Sequence, residues 1–145
     1  SHPALVDSLV SPWHGLFYWH PFVLVASAGV VLWARSGSSD GRNWIAALLL
    51  MFYVNSAWWC WWFASSFGNR GYDAALLPVM AGAAWFVHRL RGRLRVVFWI
   101  LALTFGLWNF YAVLLYRSGA ISRSQPVTWM EMIKAGADLR RAVRF

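Results

Sequence analysis

The chain has 145 residues, of which 60% are hydrophobic and 12% are charged. This composition leaves too few polar side chains to cover a soluble globule of that size, so it excludes an ordinary water-soluble domain. The net charge of +8 comes from basic residues in short gaps between apolar runs and in the C-terminal tail. No contiguous polar region carries them, so we expect membrane lipids as partners and no nucleic acid.

Four apolar runs in succession predict an all-α fold. The first run covers residues 16–34, and the second, residues 44–64, has the roughly 20 residues that a bilayer crossing needs. The third run, residues 72–88, is shorter and contains proline and glycine, which helices packed inside a membrane bundle tolerate. The fourth run, residues 94–116, has the length and hydropathy of a span. We therefore predict a polytopic membrane protein with about four transmembrane helices.

The C-terminal tail, residues 117–145, differs in character from the transmembrane region, residues 1–116. After a loop-like stretch, apolar Met130, Ile133 and Ala137 recur at helical spacing among charged residues. This pattern predicts an amphipathic helix that lies on a membrane face or against a partner. A frayed tail with helical propensity is the alternative.

The placement of arginine predicts the orientation of the helices. Basic residues concentrate in the loops at 35–43 and 89–95, which indicates that both loops face the cytoplasm. The intervening loop, SSFGNRGYD at residues 65–73, holds only Arg70 and is then on the outer side. Helix parity places the tail outside as well, whereas its own basic residues favour the inside, so the side of the tail stays open.

Few side chains in this sequence are suited to acid–base chemistry or metal binding. Its five acidic residues are not paired by spacing, and Cys60 is the only cysteine, so we predict neither carboxylate catalysis nor a metal site. His14 and His20 flank the start of the first helix and could ligate a chlorin or haem, a minor possibility beside interfacial hydrogen bonding. We predict no other cofactor except a bound lipid.

The second apolar run carries a polar and aromatic constellation. Asn55 is followed by Trp58, Trp59 and Trp62, and on a continuous helix these four residues would share one face. A buried amide needs a partner, so we expect this face to point into the bundle. An aromatic wall beside an amide suits a sugar ring or a lipid chain, and helix packing with an aromatic belt is an equal alternative.

Arg70 is the candidate for binding an anion on the outer side. Gly68 and Gly71 flank it closely and leave the backbone free to turn. A guanidinium in that position could bind a phosphate through two hydrogen bonds. A loop arginine at the headgroup level without a special function is the alternative.

Several of these segments, taken in order, resemble a known family. They are SPWHGLFYWHP at residues 11–21, YVNSAWWCWWFASSFGNRGYD at residues 53–73, and Pro78 soon after. This order is similar to the C-terminal part of the bacterial GT-C membrane glycosyltransferases, which transfer a sugar from a polyprenyl-phosphate donor on the outer side of the inner membrane. The resemblance covers mainly residues 11–78.

The resemblance implies a lipid-phosphate or substrate site at the outer membrane face. The residues that it and the patterns above select are Arg70, His14, Ser66, Asn55, Trp58 and Trp62. The family's acidic catalytic residues belong to an earlier segment without a counterpart in these 145 residues, so we expect the chain to hold the donor and not to be catalytic alone. The alternative is a non-catalytic accessory or scaffold subunit of a larger photosynthetic or respiratory membrane complex, packed through its tryptophan-rich helices.

Overall fold

The structure, a computed structural model, describes residues 2–63 and 66–142, the last three of these by their backbone only. Every regular element in these ranges is helical, which confirms the predicted all-α class. The α-helices are α1 (Asp7–Val10), α2 (Leu16–Trp19), α3 (Pro21–Arg35), α4 (Ser39–Ala57), α5 (Leu76–Arg89), α6 (Gly92–Ser118) and α7 (Trp129–Ala142), and a 3₁₀ helix (Arg70–Ala75) precedes α5.

The first predicted helix is broken in two. His20 leaves the helical region of backbone space, and Pro21 then occupies the first turn of α3. Proline has no N–H to donate and a fixed φ, so it starts a helix without cost but does not continue one. The short α2 therefore lies at an angle to α3 and belongs to the N-terminal segment.

α4 begins earlier and ends earlier than predicted. The Ser38 hydroxyl accepts a hydrogen bond from the amide of Gly41 at 3.3 Å, and Asp40 lies in the first turn, so polar residues start the helix. The helix ends at Ala57, and residues 58–63 form turns. The predicted extension to residue 64 is therefore wrong over 58–63, and Ala64 itself lies outside the described residues.

α3 and α5 make the closest helix contact in the fold. Gly29 on α3 faces the backbone of Gly82 on α5, and a Cβ added at Gly29 would come within 2.7 Å of the carbonyl carbon of Gly82. The ring of Trp33, one turn later, stacks on Trp85 at 6.2 Å. The two helices therefore run parallel, with small residues that let the backbones approach each other.

The apolar interior has two parts. The first lies within the helix bundle, and its buried members are Leu16, Val23, Ala26, Val30, Leu48, Tyr72, Ala75, Val79, Ala83 and Phe98. The second joins the end of α6 to the N-terminal segment and α7, and its buried members are Trp19, Ala112, Leu115, Ile121, Val127 and Met132. The second cluster fixes the tail against the bundle, so the tail is part of the fold.

α6 is the one helix among the described residues that is long and apolar enough to cross a membrane. Its 27 residues span about 40 Å at about 1.5 Å per residue. Most of its surface is exposed and apolar. α3 is also apolar, but it has only 15 residues.

α7 forms at the position that the amphipathic pattern predicts. Its start is a capping box: the amide of Thr128 donates to Glu131 Oε2 at 2.7 Å, and the amide of Glu131 donates to Thr128 Oγ1 at 3.3 Å. Met132 is buried against the protein, whereas Met130 and Ile133 of the predicted apolar face are exposed. That this face lies on a membrane or against a partner stays a prediction.

Candidate functional site

Three segments that are distant in sequence meet at one end of the bundle. The amide of Ala4 donates to the carbonyl of Ser56 at 2.8 Å, and the amide of Val127 donates to the carbonyl of Pro12 at 3.4 Å. We call this region the cap; it comprises residues 2–20, 58–63, 66–75 and 119–128. All six predicted site residues lie in the cap or, for Asn55, at the end of the helix beneath it.

His14 lies at the centre of the cap and is only 2% exposed. Its Nδ1 donates a hydrogen bond to the carbonyl of Gly68 at 2.9 Å, so Nδ1 carries the hydrogen of the neutral ring. Burial lowers the pKa of His14, and the bond to the Gly68 carbonyl opposes this only in part. The imidazole is therefore a neutral internal link between the N-terminal segment and the loop.

The carbonyl of Gly68 accepts hydrogen bonds from two of the predicted site residues, His14 and Ser66. The hydrogen bond from Ser66 Oγ is 3.0 Å long. Gly68 has φ +58°, and a Cβ at this position would collide with Nε2 of His20. Glycine is therefore required here both by conformation and by space. The two histidines, six positions apart in sequence, meet at this one residue.

His20 is held from the other side by an asparagine that the sequence analysis overlooked. His20 Nδ1 donates to Asn109 Oδ1 at 2.7 Å, and Asn109 Nδ2 donates to the carbonyl of Trp19 at 3.0 Å. Asn109 could have been identified in the sequence as an amide within the fourth apolar run. A polar group among apolar residues of a membrane helix requires a hydrogen-bond partner. This pair of bonds fastens α6 to the cap.

Asn55 has the buried partner that its position on α4 required. Its Nδ2 donates to the carbonyl of Gly71 at 2.6 Å. Asn69 fixes the same loop, because its Nδ2 donates to the carbonyl of Trp61 at 2.8 Å and its Oδ1 accepts from the amide of Gly71 at 3.2 Å. Asn55 therefore holds the loop in place through the backbone.

The four residues predicted to share a helix face do not do so. α4 ends at Ala57, so Trp58, Trp59 and Trp62 follow outside the helix. Trp62 stacks on Trp13 with 4.4 Å between ring centroids. Trp58 and Trp59 are 56% and 78% exposed. The predicted aromatic wall beside Asn55 is therefore wrong as a helix face.

Arg70 is the first residue of the 3₁₀ helix, and its side chain is exposed. Within residues 2–63 and 66–142 its guanidinium makes no hydrogen bond and no ion pair. The backbone beneath it is rigid, because the Asn69 side chain caps this turn and Asn55 binds the carbonyl of Gly71. The cap thus presents, on a backbone held in place, a cation without a partner among residues 2–63 and 66–142.

The predicted site residues fall into two groups according to their contacts in the structure. His14, Ser66, Asn55 and Trp62 are engaged in internal contacts that hold the cap together. Arg70 and Trp58 are exposed and available to a ligand. In the part of the chain that the structure describes, no group of three or more histidine, cysteine, aspartate or glutamate side chains is arranged to hold a metal ion.

No family model matches the chain, and neither does any curated protein or any solved structure.

Proposed function

We propose that the chain is a multi-pass membrane protein in which α3, α4, α5 and α6 all cross the bilayer. The exposed apolar side chains on three of these helices support this, for example Leu50 on α4, Leu77 on α5 and Leu103 on α6. α3 and α5 are short for a ~30 Å hydrocarbon core. Each continues into the cap through another short helix, α2 before α3 and the 3₁₀ helix before α5, and thinning of the bilayer accommodates the remaining mismatch.

The two ends of the bundle also support this arrangement. At the end opposite the cap, Trp33 stacks on Trp85, and the Arg89 guanidinium lies over the Trp85 ring at 3.7 Å. Tryptophan and arginine together are typical of a membrane–water interface on the cytoplasmic side. The cap holds a second group of tryptophans, and its described residues include only two arginines, Arg70 and Arg123. We therefore place the cap on the outer side of a bacterial inner membrane.

We further propose that the cap binds the phosphate of a lipid through Arg70, with Trp58 against the lipid. The observation that carries this proposal is the exposed, unpaired guanidinium on a turn made rigid by Asn55 and Asn69. Because the backbone of this turn is already ordered, binding of a phosphate costs only the rotamer entropy of the arginine side chain. The resemblance to GT-C glycosyltransferases suggests a polyprenyl phosphate as the lipid, bound by a chain that is not catalytic by itself.

Binding of a polyprenyl phosphate to Arg70→Ala in nanodiscs tests this function. A charge-assisted hydrogen bond contributes about 1.5–3 kcal/mol, so affinity should fall about tenfold or more. Arg35→Ala is the matched control, because Arg35 is also exposed but lies at the opposite end of the bundle. Equal affinity of the two variants would refute the proposed site. Competition by phosphatidylglycerol distinguishes a polyprenyl phosphate from phospholipid headgroups in general.

The second candidate is an accessory subunit of a larger membrane complex. It is favoured by the fact that four of the six predicted residues serve internal contacts of the cap. Purification from the native membrane in mild detergent tests it. Co-migration with larger subunits in fixed stoichiometry, together with no effect of Arg70→Ala on lipid binding, would favour this candidate over the first.

A further inference from the structure

α7 has two apolar faces, and only one of them packs on the protein. The inner face contacts α6: Met132 is buried, the Tyr111 hydroxyl donates to the Met132 carbonyl at 2.9 Å, and Gly136 lies directly against that hydroxyl. The outer face contains Met130 and Ile133, which are 61% and 54% exposed. An exposed apolar face on a helix that the rest of the fold holds in place requires an apolar environment.

A groove of about 240 Å³ runs between α6, α7 and the start of α3. It is lined by Pro21, Thr104, Phe105, Trp108, Trp129 and Ile133. Its α7 wall is fixed in two ways, because the Trp129 amide donates to the Tyr18 hydroxyl at 2.9 Å and the Trp129 ring lies 5.9 Å from that of Trp108. The groove is therefore a preformed apolar channel that opens beside the exposed face of α7.

The position of the groove along α6 places it among lipid chains. Trp108 lies nine residues before Arg117, the basic residue in the last turn of α6, which corresponds to about 14 Å along the helix. Arg117 marks the headgroup level, so a groove at that depth is in the outer half of the hydrocarbon core.

Two exposed cations lie on α7 and on the loop between α6 and α7. Lys134 is exposed on α7 next to Ile133, and Arg123 lies over the Tyr116 ring at 5.2 Å, near the end of α6. Residues 117–145 contain six lysines and arginines against two acids. Positive charge at Arg123, close to the end of α6, favours an anionic lipid headgroup.

We infer that the groove between α6 and α7 holds one acyl chain of an anionic phospholipid, whose headgroup lies near Arg123. This inference rests on the membrane insertion of α6 proposed above, and it is independent of Arg70. A volume of about 240 Å³ is smaller than the ~300–1,000 Å³ of small-molecule sites, so it suits a segment of chain. Binding depends on close packing, because bulk lipid is equally apolar.

Photocrosslinking with a phosphatidylglycerol that carries a diazirine on its acyl chain tests the inference in nanodiscs. Crosslinked peptides are mapped by mass spectrometry in the wild type and in Thr104→Trp, where the indole fills the groove. Leu103→Trp is the matched control, because Leu103 is exposed on the same helix but does not line the groove. Ile133→Trp fills the groove from the α7 side, with Met130→Trp as its control.

We expect labelling in the wild type to concentrate on the groove residues. Labelling of these residues should fall about threefold or more in Thr104→Trp and Ile133→Trp and should persist in both controls. A decrease of this size is expected because packing energies between apolar groups in membranes are modest. Uniform labelling along α6, or labelling that the groove-filling variants do not reduce, overturns the inference but leaves membrane insertion intact. Absence of labelling anywhere on α6 overturns both. An unchanged pattern in Arg70→Ala confirms that the two sites are separate.

Discussion

The contact between α3 and α5 predicts that Gly29→Ala destabilises the bundle. The new Cβ would lie 2.7 Å from the Gly82 carbonyl carbon, whereas ordinary contacts begin at 3.4 Å, so the two backbones must separate by at least about 0.7 Å. The obstruction is backbone, which cannot move aside as a flexible side chain could. Overpacking of this kind costs about 1–3 kcal/mol of the free energy of unfolding.

Gly106→Ala is the matched control for this substitution. Gly106 lies within α6, and no neighbouring atom is within 4 Å of a Cβ built there. Both substitutions gain the same ~1 kcal/mol of helix propensity, so the difference between them isolates the cost of close packing. Unfolding in mixed micelles, followed by circular dichroism, measures both variants. Equal stability of Gly29→Ala and Gly106→Ala would refute the packing argument.

Three further predictions concern the cap and α7. Thr128→Ala removes the side chain that caps the N-terminus of α7 and lowers the stability of this helix by about 1 kcal/mol. Faster amide exchange across residues 129–142 would show the loss, and unchanged exchange would contradict the capping box. The hydrogen bonds from Thr128 lower the pKa of Glu131, so this end of α7 should loosen as pH falls below about 4.3. Burial lowers the pKa of both His14 and His20, so the cap should lose stability as pH falls below about 6.5. In a pH series of melting curves, His14→Gln should weaken that dependence and leave the part that comes from His20.

The helices of this protein follow from local sequence patterns, but some of their ends do not. The break before α3 follows from Pro21 alone. The end of α4 does not, because hydropathy continues through the tryptophans after Ala57. The end of α4 is associated with a tertiary contact. Asn55 donates to the carbonyl of Gly71, so the chain after the helix lies back over the helix end. Hydropathy cannot encode such a contact.

The candidate site was predictable in its residue types and less so in its geometry. The requirement that Asn55 have a buried partner follows from the cost of burying an amide. The meeting of His14 and Gly68, which are 54 positions apart, does not follow from any local pattern. Asn109 was detectable as an isolated amide in an apolar run, but its partner, His20, lies 89 positions away. Contacts between such distant positions depend on how the helices pack together.

The number of membrane crossings is the central claim, and cysteine accessibility tests it most directly. In a Cys60→Ser background, single cysteines replace the exposed residues Ser36, Asp73, Arg91 and Ser124. Four crossings predict that a membrane-impermeant maleimide labels the cysteines at 73 and 124 in intact cells, and those at 36 and 91 only after permeabilisation. If the cysteine at 73 instead shares a side with those at 36 and 91, then α4 and α5 do not cross the membrane, and the four-span account is contradicted.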